Sequence, residues 1–165
     1  MTSFTMTHDI DCDVERFWKL FLDADFTAKL YAHIGFPKWK LVEQRETDAE
    51  IVRVVEATPK LDMPGPVMKV LGPGFGYTEE GRFDKKAQKY RFSIKPSVLE
   101  GKLKNEGTVR AEPRDGNKTR RIVDVVAEAK VFGVGGMLET MTEKNTREGW
   151  AKAATYINDW LKSNP

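Results

Sequence analysis

The chain has 165 residues, 40% apolar and 32% charged, and its 27 Lys plus Arg against 25 Asp plus Glu leave a formal charge of +2. That length holds one hydrophobic core, so a single domain over residues 1–165 is expected, and the apolar fraction excludes a disordered chain. The basic excess of a dedicated nucleic-acid binder is missing, no window approaches 18 uncharged apolar residues, the opening MTSFTMTHDIDCD lacks the pattern of an export signal, and the lone Cys12 cannot form an internal disulfide; a cytoplasmic protein is expected.

Over residues 3–10, Phe4, Met6, His8 and Ile10 alternate with polar residues, the period of a half-buried strand. Asp11 and Asp13 then precede VERFWKLFLD, where Val14, Phe17, Trp18 and Phe21 recur at helical spacing, with either acid suited to the positive helix end. A second short helix over residues 24–34 carries Phe26, Leu30, Tyr31 and Ile34 and stops at Gly35 and Pro37. A hairpin follows, residues 40–46 and 50–58 around the turn Thr47-Asp48-Ala49. Residues 63–76, MPGPVMKVLGPGFG, are expected to be irregular because proline and glycine punctuate them. Four more strands are expected over 77–83, 90–94, 99–111 and 120–131. The bases Lys118, Arg120 and Arg121, and Lys85, Lys86 and Lys89, fall in or beside their turns and read as solvated charge. Residues 137–161 hold one glycine, no proline and apolar residues at helical spacing. At ~1.5 Å per residue that helix spans roughly 37 Å, enough to cross a small sheet. The expected architecture is α+β: a curved antiparallel sheet of about seven strands around a long C-terminal helix, with two short helices after strand one.

Three stretches in this order, MTHDIDCDVERFWKLFLD, LDMPGPVMKVLG and KVFGVGGMLETMTEKNTREGWAKAATYINDWL, resemble the START-like (SRPBCC, Bet v 1-like) superfamily over nearly the whole chain. The last is most similar to bacterial uncharacterised START-like proteins and to sterol-binding VASt domains, with Phe132, Gly133, Gly136, Leu138 and Glu139 at the turn into the helix. The resemblance implies a helix-grip fold with a pocket between sheet and helix. It leaves the function open among lipid and sterol carriers, plant hormone and allergen proteins, polyketide cyclases and aromatases, oxygenase subunits and chaperone activators.

The inner face of the long helix tests for such a pocket. A stripe through Leu138, Met141, Asn145, Gly149, Ala153 and Ile157 is bulky at both ends and small or polar in the middle. A solid core would place Leu or Phe there, because unfilled volume destabilises by roughly 24 cal/mol per Å³. Two alternatives keep the core solid: Trp150 turning inward, or a buried stripe through Trp150, Ala154, Ile157 and Leu161. Among the strands, Val123, Val125, Ala127, Ala129 and Val131 form one apolar face and Tyr90, Phe92 and Ile94 another, with few ionisable groups. The expected partner is therefore a hydrophobic small molecule, lipid or sterol-like, held by contact area at roughly 25 cal/mol per Å² and oriented by Asn145, Asn105 or Tyr77. Met63, Val67, Met68, Val70, Leu71 and Phe75 in the Gly/Pro segment either cap the core or form a lip that touches a membrane transiently as a ligand enters. Candidate ligand contacts are thus Met141, Asn145, Gly149 and Ala153 on the helix, Tyr77, Phe92, Asn105, Val125 and Ala127 on strands, and Met63, Met68 and Phe75 in that segment.

No catalytic set emerges from two histidines, His8 and His33, and four serines; both histidines read as structural and Cys12 as a buried thiol. Asp9, Asp11 and Asp13 begin like a calcium loop, but Val14 stands where glycine is needed and Leu20 where glutamate is needed. Gly133-Val134-Gly135-Gly136 lacks the third glycine of a dinucleotide fingerprint, and zinc spacing is absent, so no metal or cofactor is expected. Sequestration of a hydrophobic ligand, with handover to membranes, is the leading expectation. The resemblance leaves two others: a polyketide cyclase-type enzyme in which Tyr77, Tyr90 or Glu139 moves a proton, and a chaperone-activator-like interaction module without a cavity.

Overall fold

The computed structural model describes all 165 residues. Seven strands, β1 (Thr2–Ile10), β2 (Lys38–Glu46), β3 (Glu50–Thr58), β4 (Tyr77–Asp84), β5 (Lys89–Pro96), β6 (Leu103–Arg114) and β7 (Lys118–Ala129), form one antiparallel sheet in the order β1-β7-β6-β5-β4-β3-β2. Each strand from β2 to β6 pairs with its successor, and β1 closes onto β7 in a register that sets Thr2 opposite Ala127 and Ile10 opposite Thr119.

Between β1 and β2 lie α1 (Val14–Leu22) and α2 (Ala24–His33), each opened by an aspartate. The Asp13 carboxylate accepts from the Arg16 N–H at 2.8 Å, and that of Asp23 from the Phe26 N–H at 2.7 Å, so each satisfies a donor the helix start leaves free. The long helix α4 (Gly135–Ser163) crosses the concave face, contacting β1, β7 and α2. None of the helices is long and apolar enough to cross a membrane.

Two boundaries differ from the pattern expected. The Gly/Pro segment contains a helix, α3 (Gly65–Leu71), started by the Pro64 carbonyl, which accepts from Val67 and Met68 at 3.0 Å; Pro66 falls in the first turn, where its missing N–H costs nothing. Strand β6 begins at Leu103 and not at residue 99, because Leu99 and Gly101 take positive φ values of 58° and 73° in the preceding turn.

The concave face is organised in rows running across the sheet. One row, Ile51, Phe83, Tyr90, Val109, Val123 and Met6, is bulky throughout, and α1 closes over it with Phe17 and Trp18. Ring centroids of Phe17 and Trp18 lie 5.0 Å apart, and those of Trp18 and Phe83 4.6 Å apart, a packed aromatic cluster.

Candidate functional site

Beyond that row the sheet thins. The next row runs Arg53, Gly81, Phe92, Gly107, Val125 and Phe4, and the one after it Val55, Glu79, Ile94, Asn105, Ala127 and Thr2. Side chains on Gly81 and Gly107 would overlap Tyr90 and Phe92 respectively; the glycines let those rings lie down across neighbouring strands. Opposite these rows α4 presents Asn145 and Gly149, and a methyl group on Gly149 would meet nothing within 4 Å. The result is a cavity of about 250 Å³ between sheet, α2 and α4, with 23 of its 38 lining residues hydrophobic. Trp150 does turn to this side, its ring 4.8 Å from the Arg121 guanidinium, yet the space stays open.

Nine of the residues expected to contact a ligand line this cavity: Phe75, Tyr77, Phe92, Asn105, Val125 and Ala127 from the sheet side, Asn145, Gly149 and Ala153 from α4. Three do not. Met141 lies outside the lining, as do Met63 and Met68, because α3 turns its buried side, Val67 at 0% and Leu71 at 3% exposure, onto Leu138 in a small separate core. The segment therefore caps that core through Val67 and Leu71, and its Leu71 and Phe75 reach the cavity as well. Asn145 is also tied down: its Nδ2 donates to the Met141 carbonyl at 2.8 Å and to the Asp62 carbonyl at 3.3 Å, which straps the chain after β3 to α4.

The expectation of few ionisable groups on the inner faces fails, and so does the assignment of Arg121 to solvated charge. Arg53 and Arg121 are 5% and 1% exposed, and both line the cavity together with Glu79. Both stand at inward positions of strands whose other inward residues are apolar, Ile51 and Val55 beside Arg53, Val123 and Val125 beside Arg121. That parity was the available signal. The Arg53 Nε donates to the Tyr90 hydroxyl at 2.9 Å and its Nη1 to the Phe21 carbonyl at 3.2 Å, while Tyr90 donates to Glu79 at 2.8 Å. Burial opposes the Arg53 charge, but Tyr90 and Glu79 outweigh it and raise its pKa. Burial, reinforced by Glu79, likewise pushes the Tyr90 hydroxyl well up, so it stays protonated and donates.

Arg121 has a different neighbourhood. Its Nη2 donates to the Trp150 carbonyl at 2.8 Å and approaches His8 Nδ1 at 3.1 Å. Burial lowers its pKa to about 10, which leaves it a cation at neutral pH. Burial and then Arg121 lower His8 to about 4, so the imidazole is neutral, carries its proton on Nε2 and accepts at Nδ1.

Residues 5–161 match a family described as a protein of unknown function (DUF2505). The chain belongs to this family. No curated protein matches it in sequence. In structure it is similar to TTHA0849 from Thermus thermophilus, with 19% identity, a TM-score of 0.68 and 99% of each chain covered. It is also similar to a START superfamily protein from Mycobacterium smegmatis, with 14% identity, a TM-score of 0.63 and coverage of 96% and 98%. The Zhui aromatase/cyclase from Streptomyces sp. R1128 aligns with 15% identity, a TM-score of 0.62 and coverage of 94% and 93%. The DUF2505 chain thus has the START-like fold.

What this DUF2505 site offers chemically is contact area plus a few fixed donors. Groups of three or more His, Cys, Asp or Glu do not converge in it. Glu139, at the rim, accepts from the Ala129 N–H at 3.3 Å, and the amino-terminal group 2.7 Å away holds its carboxyl below the usual range, so it is placed as an anchor and not as an acid. Cys12 is buried and its thiol pushed up to about 11 by burial, which leaves it inert.

Proposed function

We propose that the protein binds a hydrophobic, lipid-like small molecule in the cavity between its sheet and α4, and protects it from water. The observation that carries this reading is the hollow opposite Gly149: about 250 Å³ left empty among side chains that are mostly apolar. Close-packed interiors do not keep such a volume without a use for it, since each unfilled Å³ costs roughly 24 cal/mol. The volume lies just under the ~300–1,000 Å³ of ordinary small-molecule sites. A short acyl chain or a compact ring system fits it as it stands; a four-ring sterol needs the strap at Asn145 to open. Handover at a membrane is the finer reading, supported by Phe132, fully exposed at the turn into α4, and by the exposed Met137 beside it.

Uptake of the neutral fluorescent probe N-phenyl-1-naphthylamine tests the cavity. Wild-type protein should bind it with enhanced emission, and Gly149→Phe, which fills the hollow from the helix side, should bind at least tenfold more weakly while melting no lower. Absence of uptake by the wild-type chain, or equal uptake by both, overturns the reading. A cyclase-type reaction has one observation in its favour, the buried Arg53, Tyr90 and Glu79 chain at the cavity wall, which could polarise a carbonyl and pass on a proton. Turnover of a poly-β-ketone substrate that Tyr90→Phe abolishes would establish it.

A further inference from the structure

The cavity holds a cation that the protein itself does not neutralise. Of the two guanidinium groups in its wall, Arg53 is coupled through the Tyr90 hydroxyl to the Glu79 carboxylate. Arg121 has no carboxylate within ion-pairing distance. Both of its hydrogen bonds leave from Nη2, and both end on neutral acceptors, a peptide carbonyl and an uncharged imidazole. Its Nε is buried and has no partner at all. Lys60, Lys104, Glu128 and Glu139 also line the cavity, so four cations face three anions there, and Arg121 is the buried one among them with no carboxylate partner. Surface arginines elsewhere, such as Arg82, Arg110 and Arg114, each sit beside a carboxylate, although water would screen them if they did not. Of the two buried guanidinium groups in the cavity wall, Arg121 is the one without an anion.

A structural role accounts for part of this geometry, since the bond to the Trp150 carbonyl and the stacking on its ring hold α4 against β7. It does not account for the free Nε or for placing a permanent charge at the wall of a cavity, where desolvation is expensive unless a counter-charge arrives. We propose that Arg121 is the anchor for the carboxylate of the bound molecule, so that the guest is an anionic amphiphile seated head-down against β7 with its apolar body along Phe92, Val125 and Ala153. A planar guanidinium with unused donors matches a carboxylate in shape as well as charge. This inference rests on the cavity being a binding site, and it specifies the chemical class: an acid, not an alcohol.

Titration calorimetry with decanoate and with decan-1-ol, which share a chain and differ in the head group, decides the matter. Wild-type protein should bind decanoate at least tenfold more tightly than decan-1-ol. Arg121→Met, close in length and uncharged, should bring decanoate down to the level of the alcohol and leave the alcohol unchanged, and Arg121→Lys should recover part of the preference. Equal affinities in the wild-type chain, with N-phenyl-1-naphthylamine still entering, overturn the anchor and leave the cavity reading standing. Preference for decanoate that survives in Arg121→Met also overturns it. If neither of the two compounds nor the naphthylamine binds, the cavity reading fails and the anchor with it. Should Arg121→Met fail to fold, Arg121→Gln, which keeps hydrogen-bond donors and removes the charge, takes its place in the same comparison.

Discussion

The two ends of the concave face use the same sheet and the same helix for opposite purposes. At the α1 end, Ile51, Phe83, Tyr90, Val109, Val123 and Met6 meet Phe17 and Trp18, while α4 contributes Ile157 and Leu161. At the far end Asn105 and Ala127 face Asn145 and Gly149 across open space. Nothing in backbone geometry separates them; the difference is side-chain volume, row by row. Bulk is thereby graded along the sheet, with Phe17, Tyr90 and Ile157 belonging to the packed end and to the cavity lining at once.

Truncation in the filled end gives the largest effect. Phe17→Ala should cost about 3–5 kcal/mol of stability, the range for emptying a packed aromatic site, read as a lower urea midpoint; a loss under ~1 kcal/mol would mean that this end is as loose as the other. Tyr90→Phe comes next, because it leaves the buried Arg53 Nε and the Glu79 carboxylate without their shared hydroxyl. The expected loss is about 1–3 kcal/mol. At the hollow end the sign reverses. Gly149→Ala adds a methyl group that touches nothing and removes a flexible residue from mid-helix, so thermal denaturation should show a gain of about 0.5–1 kcal/mol.

The smallest effect lies with His8, which the register sets opposite Arg121, one row beyond Met6 and Val123 on the side away from the glycine rows. Its folded pKa of about 4 is below the ordinary 6.5, so the unfolded chain takes up a proton near pH 6.5 that the folded chain refuses until about pH 4. Stability should therefore fall as pH drops through that window. His8→Gln should flatten the pH dependence between those limits relative to wild type, and identical profiles would show that the imidazole is hydrated in the fold.

The fold was legible because period-two and period-3.6 patterns survive in this sequence almost undisturbed, from Phe4-Met6-Ile10 to the long run after Gly136. The hollow could be read from Gly149 and Asn145 for the same reason: a helix face that should be bulky was not. Arg121 reads as solvated charge, and Arg53 draws no notice, because a charge at an inward position is tolerated only where partners arrive from elsewhere in the chain. Those partners, the Tyr90 hydroxyl and the carbonyls of Phe21 and Trp150, come from residues up to 37 positions away, which no local pattern announces. The helix α3 was hidden for a different reason, since Pro64 and Pro66 mark a helix start and a loop equally well.

The walls of the hollow come from elements far apart in the chain, from Phe17 in α1 to Ile157 in α4, with β7 between β1 and the rest of the sheet. During synthesis the first strand must wait, unpaired, until the seventh has left the ribosome, and the enclosure has no lid before the last helix follows. The enclosure is therefore a late product of folding: it exists only once α4 has docked across β7, and no half-made chain contains it.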